Sequence, residues 1–324
     1  MSVTELEILK RCRWKWDKMS FSREGLTAIV TKRPLDLGSL MHQALFDWIT
    51  QPDGDPVEFF NKRAQIRLVE MATAYKEAVG AGMSREELIP YGEAVRIGAA
   101  MMANYQAMYT TPLSPGWTLI SAEQPCLVKI PGTYHNCIGP CLCSKCYTHE
   151  LGLDCESEDC VCCCWHQLEG TLDGLVANER GDIWILEHKT WDRHPDMRQL
   201  YRNPQFARYM WIGQQLGLNP QGIAYDGLWS RATVPTGKKF EDLFLRRLIT
   251  VNQHFIDQTG EYLAQDVNEA ASLPAITKSI DWTCPNCGVY DLCESDSFGE
   301  DYDFILSTKY KKRERTPAFE TEVS

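Results

Sequence analysis

The sequence contains no apolar run that would cross a bilayer. Its longest stretch without a charge, Ile97 to Ala122, carries Asn104, Gln106, Pro112 and Pro115, which a span of about 20 mainly apolar residues would not hold. The N-terminus, MSVTELEILKRCRWKW, puts charges where an export signal has its apolar centre. Basic residues are not in excess either. Lys+Arg 33 against Asp+Glu 44 gives a net charge of -11, which argues against coating duplex DNA by bulk charge. A local basic channel remains compatible with that balance, and so do acidic residues that hold a divalent metal. No internal repeat or low-complexity linker is present. We expect a soluble cytoplasmic protein with no membrane partner, in a bacterium or a phage-infected host cell.

What is present is an ordinary globular balance over 324 residues, 44% hydrophobic and 24% charged. At about 150 residues per domain this is two domains, or one with an insertion. Such a chain buries roughly three-quarters of its unfolded surface and needs no disulfides to stay folded. Cysteine is the unusual component. Of the 14, nine fall between Cys137 and Cys164, three between Cys284 and Cys293, and Cys12 and Cys126 stand alone. Without an export signal, metal ligation is the stronger reading and a disulfide framework the weaker.

Ser2 and Glu5 have capping-box spacing, followed by Leu6, Leu9, Cys12 and Trp16 on one helical face. Further helices are expected from Ser39 to about Thr50, between Val57 and Val79, and from Ser84 to about Tyr109. The pattern changes at Pro112. WTLISAEQPCLVKI, QLEGTLDGLVA and DIWILEHKT read as strands, the last two joined at Asn178-Glu179-Arg180-Gly181. Asn203-Pro204 opens a helix to about Gly217. GIAYDGLWS and LFLRRLITV are strands, and a helix follows from about Gln253 to Ala271. We divide the chain into a helical region 1–111, a core 112–306 interrupted by a cysteine-rich insertion at about 133–166, and a loose polar tail 307–324.

In GTLDGLVANERGDIWILEHKTW, Glu187 and Lys189 project from one face of a strand and His188 from the other. A hairpin brings Asp173 beside them. Two carboxylates suit a hard cation such as Mg²⁺ or Mn²⁺, and the Lys189 ammonium suits a water or a phosphate. Standing alone, this set reads more readily as a surface hairpin with an ordinary Glu-Lys neighbour pair. Gln205 and Tyr209 lie at i and i+4 on the next helix, and His42 offers an imidazole.

Taken in order, Gly38-x-x-x-His42, Gly170-Thr171-Leu172-Asp173-Gly174, Glu187-His188-Lys189-Thr190 and Gln205-x-x-x-Tyr209 resemble the motifs of the PD-(D/E)xK nuclease superfamily. Within it they most resemble the RecB-like exonucleases, including the CRISPR-associated exonucleases and the AddB nuclease domain. The resemblance implies an α/β, restriction-endonuclease-like core: a mixed central sheet flanked by helices. It also implies metal ligation by His42, Asp173, Glu187 and the His188 carbonyl, with Lys189 catalytic and Gln205 and Tyr209 in the site. Glu123, on the preceding strand, stands where relatives often carry an acid. Arg193, Arg198, Arg202 and Arg208 either line a phosphate path or form a solvated face.

Cys284-x2-Cys287-x5-Cys293 is one thiolate short of a closed site, and Cys12 is the available fourth if the termini meet. The same relatives place one cysteine before the core and three after it around a [4Fe-4S] cluster. The resemblance thus implies a cluster on Cys12, Cys284, Cys287 and Cys293; zinc on the same ligands is the other option. The insertion has no counterpart in that resemblance. Its Cys137, Cys141, Cys143, Cys146, Cys155, Cys160, Cys162, Cys163 and Cys164 suffice for one or two zinc ions. It would serve as a structural flap or to dock a protein partner. The expected function is a metal-dependent DNA exonuclease acting on single-stranded or free ends. The competing reading is a non-catalytic adaptor of the same fold.

Overall fold

The computed structural model describes residues 2–21, 23–30, 33–130, 167–193, 195–272 and 275–313. The insertion with its nine cysteines, and the chain beyond 313, lie outside these. A five-stranded sheet runs β2 (Thr118–Lys129), β3 (Gln167–Ala177), β4 (Ile183–Trp191), β5 (Ile223–Trp229) and β6 (Phe244–Ile249) in that spatial order. The β4–β5 pair is parallel and the other pairs antiparallel. The expected mixed α/β core is therefore present.

Local chemistry accounts for the connections. Between β3 and β4, the Asn178 side-chain oxygen accepts from the backbone N–H of Arg180 and Asp182 at 2.9 and 3.0 Å, and Gly181 takes φ 80°, a value that favours glycine. Parallel pairing of β4 with β5 requires a crossover, made by α6 (Met197–Leu200) and α7 (Pro204–Gln215). Asn203 caps α7 through the Gln205 N–H at 3.0 Å, and Pro204 sits where a helix needs no amide donor.

Helices cover both faces. On one side α1 (Val3–Arg11), α7 and α8 (Gln253–Ala271) bring Leu6, Phe206, Ile212 and Ile256 onto Leu172, Ile185 and Ile223. On the other, α3 (Arg33–Thr50), α4 (Pro56–Val79) and α5 (Arg85–Met108) pack together and onto the sheet. Helix α3 buries Leu37, Leu40, Met41, Ala44, Leu45 and Trp48, the three-and-four spacing of one helical stripe.

Two expectations change. The face from Leu6 to Trp16 is not one helix. Cys12 is extended, with φ -158° and ψ 109°, closing α1 and opening α2 (Arg13–Met19), where its Sγ accepts from the Lys15 N–H at 3.5 Å. Nor does a loose tail begin at 307. After α9 (Tyr290–Phe298), helix α10 (Tyr302–Lys309) runs past that point, and β7 (Tyr310–Lys312) pairs antiparallel with β1 (Leu26–Ala28). Tyr310 is buried with Trp14, Leu26, Val289 and Leu292, and the Trp14 N–H donates to the Thr277 carbonyl at 3.0 Å. The described ends of the chain are thus tied together. A three-residue strand is too short to leave a periodic signal.

Candidate active site

Strands β3 and β4 pair from Ala177–Ile183 up to Gly174–Leu186, and there the ladder stops. Asp173 and Glu187 come next, where the strands part. Just before the split the backbones crowd. A Cβ on Gly174 would lie 3.2 Å from the Ser121 carbonyl oxygen and 3.4 Å from a Leu186 methyl, closer than most side chains tolerate. Helix α3 also passes close to β4, with the Cβ position of Gly38 3.6 Å from Thr190 Oγ1. One turn later, α3 presents His42.

The Asp173 carboxylate is held from two directions. Its Oδ2 accepts from the His188 backbone N–H at 2.8 Å and lies 3.3 Å from His42 Nδ1. Lys189 Nζ stands 2.8 Å from Glu187 Oε1. Glu187 is 1% exposed, and its Oε2 has no hydrogen-bond partner among the described residues. From α7, Gln205 Nε2 donates to the Tyr209 hydroxyl at 2.6 Å. Burial raises the Tyr209 pKa, and the Glu187 and Asp173 charges raise it further. All six motif residues therefore share one electrostatic neighbourhood.

Charge is unevenly shared within it. Burial raises the Asp173 pKa, but the His42 hydrogen bond and charge outweigh that and leave it lowered. Burial lowers His42, and Asp173 more than offsets it, so His42 is raised. Glu187 is pushed up to about 7 by burial and then by the Asp173 charge, against the pull of Lys189. A carboxyl with a raised folded-state pKa favours folding at low pH and loses that contribution as pH rises through the folded value. Metal-free protein should therefore lose stability between about pH 4.5 and pH 7 through this group. Glu187→Gln should be more stable than the parent at pH 8 by about 3 kcal/mol and no more stable at pH 4. Urea unfolding with chelator at both pH values checks this.

Among the described residues, no three His, Cys, Asp or Glu side chains stand close enough to hold a metal ion as they are placed. The donor set nonetheless suits a hard divalent cation. It combines an imidazole, two carboxylates and a buried carboxylate oxygen lacking a partner.

Some residues differ from expectation. Arg208 is 6% exposed and ion-paired with Glu7 at 2.5 Å, so it is not free to track phosphates, while Arg193, Arg198 and Arg202 are exposed. Glu123 carries more than its sequence position suggested. It lies between Ala122 and Gln124, which pair with Gly174 and Leu172, the neighbours of Asp173. Its φ of 49° is uncommon for a residue with a side chain. Burial, then the Asp173 charge, raises its pKa. Strand register was the signal that pointed there.

Cys12, Cys284, Cys287 and Cys293 are all free and half-buried. Cys12, Cys287 and Cys293 pack against the cluster that joins the ends. Burial raises the Cys293 pKa, with Cys12, Cys287 and Cys284 adding to the rise. The four thiols are thus gathered at one end without forming a ready ligand set.

The mixed five-stranded sheet flanked by helices is consistent with a PD-(D/E)XK fold, and the sequence agrees. The family model of the PD-(D/E)XK nuclease superfamily matches residues 1–294. The chain belongs to that superfamily. Its members are nucleases that typically use Mg²⁺ or Mn²⁺. No curated protein matches the chain. One solved structure, titled "Crystal structure of SSO0001", is similar at 10% identity with a TM-score of 0.30, over 72% of this chain and 79% of that one. No helix among the described residues is long and apolar enough to cross a membrane.

Proposed function

We propose that this protein is a Mg²⁺- or Mn²⁺-dependent DNA exonuclease of the RecB-like type, acting on single-stranded ends in recombination, repair or phage DNA metabolism. The observation that carries this is the buried Glu187 beside Lys189 at the strand split, with Asp173 held there by His42 and the His188 N–H. His42, Asp173, Glu187 and the His188 carbonyl would hold the cation. When bound, it supplies Lewis-acid polarisation of a phosphate oxygen and of water. Lys189 orients the attacking water and offsets charge developing on the phosphate. Gln205 and Tyr209 position the phosphate, with Arg193, Arg198 and Arg202 steering the strand by charge.

Two further metal assignments belong to the same reading. Cys12, Cys284, Cys287 and Cys293 hold a [4Fe-4S] cluster that clips the ends of the chain. The cysteines from Cys137 to Cys164 bind zinc and order the insertion, which docks a protein partner. An assay on linear and circular single strands tests the exonuclease assignment. Linear DNA should be degraded and circular DNA of the same sequence spared. Equal cutting of both would make the protein an endonuclease.

A further inference from the structure

Behind the strand split lies a second set of buried polar groups. His188 stands between Glu187 and Lys189, so its ring crosses to the side covered by α3, α4 and α5, where it is 3% exposed. There its Nε2 faces Asp226 Oδ2 at 3.6 Å. The two residues are register partners in the parallel β4–β5 pair. Asp226 Oδ2 accepts from the Tyr105 hydroxyl and from Arg246 Nη2, the latter at 3.0 Å. Arg246 also donates to the Tyr105 oxygen at 2.6 Å and the Pro112 carbonyl at 3.1 Å. Its guanidinium lies 3.9 Å from the centre of the Tyr109 ring.

Stability alone does not call for this arrangement. A buried ion pair has a large desolvation cost, and well-packed apolar groups in its place are often neutral or better. Here Asp226 Oδ1 and His188 Nε2 have no hydrogen-bond partner among the described residues; for Nε2, the 3.6 Å to Asp226 Oδ2 is too long for a hydrogen bond. On its other side, the same His188 gives its backbone N–H to Asp173 at 2.8 Å. One residue therefore touches the buried network through its ring and the carboxylate site through its peptide.

We propose that Asp226, fixed by Arg246 and Tyr105, is a positioning residue that holds the His188 peptide and sets the geometry of Asp173, Glu187 and the His188 carbonyl toward a divalent cation. This rests on the nuclease reading above. With the ring enclosed beside Asp226 on β5 and the N–H given to Asp173, the peptide between Glu187 and Lys189 cannot rotate without displacing groups on both faces. Groups that orient metal-binding residues from behind typically matter 10- to 100-fold in affinity or activity.

The test is calorimetric titration of the metal-free, full-length protein with Mn²⁺, together with the Mn²⁺ dependence of cleavage. Asp226→Asn should bind Mn²⁺ about 10-fold more weakly. The metal concentration for half-maximal cleavage should rise by the same factor, with KM for DNA unchanged. Tyr105→Phe keeps its ring in the core and loses the two hydrogen bonds of the hydroxyl, one to Asp226 and one from Arg246. It should shift in the same direction by less, and it serves if Asp226→Asn does not fold. Variants that melt lower yet keep the parental Mn²⁺ affinity would show a packing role only and overturn the proposal. Should the parent show no Glu187-dependent Mn²⁺ binding, the nuclease reading fails and this inference with it. Tight binding by the parent and by both variants alike would remove this inference alone.

Discussion

Lys189→Ala should lower the rate of Mg²⁺-dependent DNA cleavage by about 10³-fold and leave Mn²⁺ binding nearly intact, whereas Glu187→Ala should abolish both. The two residues sit two positions apart on one face of β4, 2.8 Å from each other, yet their environments differ. Lys189 is 39% exposed at its side chain and Glu187 1%. A partly exposed ammonium can act on water and phosphate as charge develops, an effect worth roughly 10²–10³ when one such group is removed. A buried carboxylate with a partnerless oxygen is suited to ligate a hard cation. Both variants should fold, since neither side chain belongs to the apolar clusters. Calorimetry and single-turnover kinetics separate the roles. Equal loss of Mn²⁺ binding in the two variants would contradict the division.

The second large effect concerns the ends of the chain. Protein purified without oxygen should be brown and carry iron and sulfide, and Cys12→Ser should lose both the colour and much of its stability. Cys12 sits at the α1–α2 junction, beside the buried Trp14, Leu26, Val289, Leu292 and Tyr310. The ends are otherwise joined by that cluster, the short β1–β7 pair, the Trp14–Thr277 hydrogen bond and the Lys10–Asp266 ion pair. Metal ligation that closes so long a loop adds stabilisation directly. Its loss should lower the melting temperature by roughly 10 °C. Stoichiometric zinc and no iron in the anaerobic protein would remove the cluster assignment.

How much of this was readable in advance depended on whether the determining chemistry was local. The β3–β4 hairpin was legible because alternation, Asn178 and Gly181 lie within one short stretch. Helix α7 was legible because its cap, Asn203, and its proline adjoin. The grouping of Asp173 with Glu187 followed from the same hairpin. The break at Cys12 was not legible, since an amphipathic pattern continues across it. Neither was the β1–β7 pair, whose partners stand at opposite ends of the sequence. The Tyr105–Asp226–Arg246 network was the least accessible. It depends on the register of a parallel pair and on a helix more than a hundred positions away, and no spacing in the sequence encodes that. Glu123 lies between these cases: its position was visible, but its place opposite Asp173 needed the β2–β3 register.

The most direct measurement is cleavage of end-labelled single-stranded DNA by the anaerobically purified protein with Mg²⁺ or Mn²⁺, alongside a chelator control and Asp173→Ala. The expected result is progressive loss of label from the parent, stopped by the chelator and absent from Asp173→Ala. A folded, metal-supplied parent that leaves the DNA intact, or an Asp173→Ala variant that cuts at the parental rate, would contradict it.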